Sequence, residues 1–139
     1  MRLALRTVYQ DALRPLGRTV AQAGVMHAIE RFPGASIVQL AHARVVTPQS
    51  VAEHVAVLES AGLVTRERPT GRGHVIALYL SDAGVHALNQ CYAAMATAEA
   101  QLWEDIPPED QQHFRRLLER HLAPFTVAAS GCPPEDTHP

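Results

Sequence analysis

The sequence predicts a mainly α-helical fold with a small β-hairpin wing: a winged helix-turn-helix flanked by terminal dimerisation helices. Three observations carry that expectation. A short helical stretch that Ser36 can cap is followed closely by Thr47-Pro48, a strong helix start. The helix so opened stops at Ala61-Gly62, and two short alternating runs then flank the turn-forming segment Pro69-Thr70-Gly71-Arg72-Gly73-His74. Long amphipathic stretches stand on both sides of this block.

The first helix places Leu5, Val8, Tyr9, Ala12, Leu13 and Leu16 at spacings of three and four, and Pro15 with Gly17 ends it. A second, from about Thr19 to Phe32, turns Val20, Val25, Met26 and Ile29 inward and stops at Pro33-Gly34. Ile37 to Ala43 forms the short third helix. The fourth runs from Thr47 to about Ser60 with Val51, Val55 and Leu58 on its buried face and Gly62 as terminator. Leu63 to Arg68 and Val75 to Leu80 are the two strands of the hairpin. Ser81 or Asp82 caps a long helix to about Glu104 whose stripe is Val85, Leu88, Tyr92, Met95 and Leu102, and Ile106-Pro107-Pro108 breaks it. Glu109 to Pro124 is the last helix, with Phe114, Leu117, Leu118, Leu122 and Phe125 as its stripe. The chain thus divides into a dimerisation region, 1–17 with 82–125, a winged helix-turn-helix, 18–81, and a disordered Pro-rich tail, 126–139.

A chain of 139 residues can bury a core without staples, and 47% hydrophobic with 19% charged residues suits a folded, soluble domain. The apolar runs are too short for a membrane span, and the arginines at 2, 6 and 14 interrupt the N-terminal apolar residues in a way no signal peptide does. Cys91 and Cys132 stand apart without a pairing or metal motif, which places the chain in a reducing cytoplasm. The net charge of -2 hides an asymmetry: residues 1–80 carry nine arginines against five acids, whereas 81–139 carry three against nine. The basic half is the winged-helix half, as phosphate attraction requires. Terminal helices with more apolar surface than one winged helix covers call for a second copy, which also presents two recognition helices to successive major grooves.

The face of the 47–60 helix opposite its core stripe presents Pro48, Gln49, Ser50, Glu53, His54 and Val57. Its first turn is the part that reaches bases. Gln49 suits an adenine edge, since one amide donates and accepts together. Thr47 and Ser50 suit phosphates at the helix N-terminus, although Thr47 is first of all an N-cap. Glu53 leaves three readings open: a cytosine amino group, a nearby arginine, or weak binding. In the hairpin, Arg72 suits a narrow minor groove, with His74 beside it; Arg66 and Arg68 suit phosphates or the acids Glu67 and Glu59. Arg44, just before the recognition helix, is a further phosphate candidate.

Val38-x-Leu40-Ala41, Val46-Thr47-Pro48-Gln49-Ser50-Val51, Leu58-Glu59-x-Ala61-Gly62-Leu63-Val64-x-Arg66 and Leu78-x-Leu80-Ser81-x-x-Gly84 together resemble the MarR family of bacterial transcription regulators, over about residues 5–123. The resemblance implies an obligate homodimer built from terminal helices that binds a short palindrome in double-stranded DNA, acts as a repressor, and in many members is released by a small aromatic acid. The chain departs from the family where a turn glycine is replaced by Val45, where arginines are replaced by Glu53 and Val57, and where the wing reads Arg72-Gly73-His74. An effector cleft between the dimer helices and the winged helix would draw on Tyr9, Arg14 and His27, with Arg14 meeting a carboxylate.

The eight histidines lack helical ligand spacing, so no metal and no other cofactor is expected. No nucleophile elbow, HExxH or phosphate loop appears, and Ser50 with His54 lacks a pocket, so no catalytic residue is assigned and an enzyme is not expected. The rival from another class is a winged-helix dimer that acts through protein contacts without operator binding.

Overall fold

The structure, a computed structural model, describes residues 2–68, 70 and 75–129. Helix α1, Arg2–Leu13, passes into a 3-10 turn, Arg14–Leu16, that contains Pro15 and closes on Gly17. Helices α2, Val20–Arg31, and α3, Ile37–Arg44, each begin in a reciprocal capping box. In the first, Gln22 N–H donates to Thr19 Oγ1 at 3.1 Å and Thr19 N–H donates to Gln22 Oε1 at 3.1 Å. Ser36 and Gln39 repeat the arrangement at 3.2 and 2.9 Å. Helix α4, Pro48–Ser60, is capped by Thr47, whose Oγ1 accepts from Ser50 N–H at 3.2 Å.

Strands β1, Val64–Glu67, and β2, Ala77–Leu80, pair antiparallel with Val64 opposite Leu80 and Glu67 opposite Ala77. Both are shorter than their alternation predicts. Leu63 instead leaves the α4 turn, where its N–H donates to Leu58 O at 2.9 Å, and Val75 is half exposed outside the ladder. A third segment joins the hairpin: Gly34 N–H donates to Leu78 O at 2.9 Å and Leu78 N–H to Ala35 O at 3.2 Å. Helix α5, Asp82–Trp103, and helix α6, Pro108–Ala129, complete the chain. Pro124 therefore does not end α6, which enters the stretch assigned from sequence to a tail; residues 130–139 lie outside the described residues.

The core lies where α2, α3, α4 and β2 meet the ends of α1 and α5. Leu13, Val25, Met26, Ile29, Leu40, Val51, Val55, Leu58, Leu78, Leu88 and Cys91 are all but sealed from solvent. Val51, Val55 and Leu58 thus fill the face their spacing predicts. Val85 does not: it is 42% exposed, because the first turn of α5 is set by its contact with Leu63 and turns Gly84 inward instead.

That contact is tight. Ser81 Oγ donates to Gly62 O at 2.6 Å and accepts from Gly84 N–H at 3.0 Å, while Ser81 N–H donates to Leu63 O at 3.0 Å. A Cβ on Gly84 would lie 2.0 Å from Leu63 O, so only glycine allows α5 to start there. Helix α6 is the opposite case: none of its residues from 108 to 121 is buried, and Leu117 and Leu118 are about 40% exposed. It is fastened at its start by Gln111, whose Nε2 donates to Ile106 O at 2.7 Å and Trp103 O at 3.0 Å, and by the Phe114 ring 5.3 Å from that of Trp103.

Candidate nucleic-acid interface

Helix α4 is held by the three fully buried side chains Val51, Val55 and Leu58, which leaves its opposite face outward. Thr47, Pro48 and Gln49 are exposed and Ser50 is half-buried, followed by Glu53, Ala56 and Val57, all exposed, with His54 half-buried at the side. The N-terminal amides are partly spent. Pro48 has none, Ser50 N–H is taken by Thr47 Oγ1, and Val51 N–H donates to Thr47 O at 3.2 Å. Gln49 N–H is left facing solvent at the positive end of the helix dipole, on the residue whose side chain also points outward. One residue thus offers an amide to a phosphate and a carboxamide to a base edge.

The turn before α4 is unusual. Val45 adopts φ 55 and ψ 46, the left-handed region, and is 93% exposed. Its N–H donates to His42 O at 3.2 Å and that of Val46 to Ala41 O at 3.1 Å, which closes α3 and aims the chain at Thr47. A β-branched residue there is strained.

The arginines divide. Arg66 Nε donates to Glu59 Oε2 at 2.7 Å, one of the two acid partners expected for it. Arg68 is exposed at the end of β1. Arg72 and His74 lie outside the described residues. Arg44, expected to reach a phosphate, is half-buried. Its guanidinium lies back over Gly24 of α2, where a Cβ would come within 2.4 Å of Nη1, and its Nε is buried without a partner. Burial lowers its pKa from the ordinary arginine value. The approach of two helices at a glycine, and not the sequence around Arg44, decides that placement.

This arrangement matches known proteins. The profile of the MarR family matches residues 16–73, which contain the helix-turn-helix and the first strand. The HTH-type transcriptional repressor Rv2887 of Mycobacterium tuberculosis is 29% identical over 116 residues, 84% of each chain. The structure of the Rv2887 protein in complex with salicylic acid superposes with a TM-score of 0.71 at 29% identity, covering 85% of this chain and 87% of the other. Apo MarR of Escherichia coli shares the fold, with a TM-score of 0.80 at 19% identity over 87% and 90% of the two chains. The matched segment and the fold are those of the MarR family.

Within the MarR fold, the three residues expected to line an effector cleft each have a partner inside the chain. Arg14 pairs with Asp11 at 2.6 Å on the exposed surface. His27 Nδ1 lies 2.6 Å from Tyr92 Oη, whose hydroxyl donates to Glu30 Oε2 at 2.8 Å, so the ring nitrogen donates in turn. Burial first, then the hydrogen bond and charge of Glu30, push the Tyr92 phenol up to about 12. Tyr9 donates to Glu99 Oε1, and burial with this acid likewise takes its pKa to about 12. Tyr9 and Glu99 open onto a groove of about 460 Å³ between α1, α5 and α6, walled by Leu102, Trp103, Ile106, Phe114 and Leu118.

Sequence reasoning missed the partners Tyr92, Glu30 and Glu99, because they stand 62 to 90 residues from the side chains they hold. Cys91 is fully buried, and burial pushes its thiol up, away from the thiolate a redox sensor needs. Among the described residues no three His, Cys, Asp or Glu side chains converge on a possible metal site, and no helix is long and apolar enough to cross a membrane.

Proposed function

We propose that this protein is a cytoplasmic, homodimeric transcriptional repressor that binds a palindromic operator through α4 and the hairpin, and that a small aromatic carboxylate lowers its hold on DNA. The observation that carries the reading is the outward-facing, capped first turn of α4, with Gln49 offering backbone and side-chain donors together. Thr47 and Ser50 flank it as phosphate contacts, His54 lies at its side, and Arg68 adds a positive charge at the end of β1. The dimer follows from α6, none of whose residues from 108 to 121 is buried, and from the groove beside it. A second copy packed there buries both about a two-fold axis. The relative in complex with salicylic acid supports the effector class.

The test is a gel shift on the upstream region of the protein's own gene at two salt concentrations, with sedimentation of the free protein. Binding that weakens steeply with salt, as released counterions require, and a dimer at micromolar concentration are the expected results. Salt-insensitive binding or no binding favours a protein-contact role. Salicylate added to the complex should release DNA only as far as it prefers the unbound conformation, and operator should weaken salicylate binding by the same factor.

A further inference from the structure

We propose that Glu53 reads a cytosine: its carboxylate accepts a hydrogen bond from the N4 amino group of a C·G pair, within about two base pairs of the pair read by Gln49. The inference rests on the operator-binding reading above and assigns one determinant of its specificity. Glu53 stands one turn beyond Gln49 on the exposed face of α4. Four residues rise about 6 Å along a helix, less than two base-pair steps of about 3.4 Å, so both side chains address the same short stretch of groove.

The carboxylate is also uncommitted. Among the described residues it has neither a hydrogen bond nor an ion pair. Among the described residues two arginines of this region are engaged elsewhere: Arg66 on Glu59 at 2.7 Å, and Arg44 drawn back over Gly24. An ionised carboxylate only accepts, and phosphate only accepts, so Glu53 gains nothing from the DNA backbone. Its favourable partners in the major groove are amino groups. The adenine amino group is flanked by acceptors on both sides, N7 and the thymine O4, whereas the cytosine N4 has an acceptor on one side only. The cytosine edge is therefore the least repulsive place for this side chain. Helix α4 carries no lysine or arginine to offset the repulsion, so Glu53 acts chiefly by rejecting other sequences.

The experiment is selection of binding sites from a randomised duplex library by the full-length protein and by its Glu53→Ala, Glu53→Gln and Gln49→Ala variants. The wild type should enrich a half-site with a C·G pair within two positions of the pair whose preference Gln49→Ala abolishes. Glu53→Ala should lose about 5- to 150-fold of the preference for cytosine there, the range for a good base contact, and should bind a scrambled duplex more tightly. Glu53→Gln should move the preference from cytosine to adenine, since a carboxamide both donates and accepts. Glu53 is exposed, so all variants should melt with the wild type, which excludes a folding defect as the cause. An unchanged motif in Glu53→Ala, or a wild-type motif without cytosine in that stretch, overturns the assignment while operator binding stands. A wild type that retains no duplex even at low salt overturns operator binding and this assignment together.

Discussion

Replacing Val45 with glycine should stabilise the protein. Val45 holds φ 55 and ψ 46 in the turn between α3 and α4, a conformation that costs an L-residue about 1–2 kcal/mol, and β-branching does nothing to lower it. The side chain is 93% exposed, so its removal forfeits almost no buried surface. Against the relief stands the greater freedom of glycine in the unfolded chain, about 0.5–1 kcal/mol. The net gain is about 0.5–1 kcal/mol, a rise in melting midpoint of roughly 2–4 °C for a chain of this size. Circular-dichroism melts at one fixed protein concentration, with urea curves to verify a constant slope, measure it. Gly62→Ala is the mirror control: Gly62 has φ 74 with nothing within 4 Å of an added Cβ, so its cost of about 1 kcal/mol is backbone strain alone. If Gly62→Ala destabilises and Val45→Gly fails to stabilise, the turn is not paying for its valine and the strain argument is wrong.

Gly84→Ala should cost about 1–3 kcal/mol or prevent folding, because its Cβ would enter the carbonyl of Leu63 at 2.0 Å; unfolding in urea shows it, and a wild-type midpoint would refute the close approach. The alkaline limb of stability should respond to two phenols. Tyr9 and Tyr92 have folded pKa values near 12 against an ordinary 10, so their neutral, hydrogen-bonded forms support the fold below pH 10, and that support is lost as pH rises through about 12. Phenolate absorbance in the folded protein should therefore show two late steps, and Tyr9→Phe and Tyr92→Phe should each remove one; ionisation of both near pH 10 would contradict the contacts with Glu99 and Glu30.

What the sequence made legible was local. Thr47-Pro48 announces a helix start because cap and first turn lie within four residues, and Val51, Val55 and Leu58 declare the buried face by spacing alone. The outward set Gln49, Ser50, Glu53, His54 and Val57 follows as the remainder. Arg44 shows where this stops: nothing near it in sequence reveals that α2 approaches at Gly24 and leaves room for a guanidinium. Tyr9, Arg14 and His27 were grouped by the helices they sit on, yet Tyr9 is captured by an acid and His27 by a phenol whose positions only tertiary packing sets, while Arg14 pairs with Asp11 three residues before it. The pairing of Gly34 and Ala35 with Leu78 escaped because two residues show no alternation.

The clamp of Ser81 and Gly84 onto Gly62 and Leu63 makes α5 a crank. The helix and the hairpin share one fixed joint, so neither turns without the other. At 22 residues α5 is about 33 Å long, and a swing of about 5° about the joint carries its far end roughly 3 Å, close to one base-pair step. In the dimer proposed above, with two copies joined at those far ends, a slight shift of the helices would be geared directly into the separation of the two wings. Such a protein would let go of its site by losing step with the pitch of the duplex, while each reading surface kept its shape.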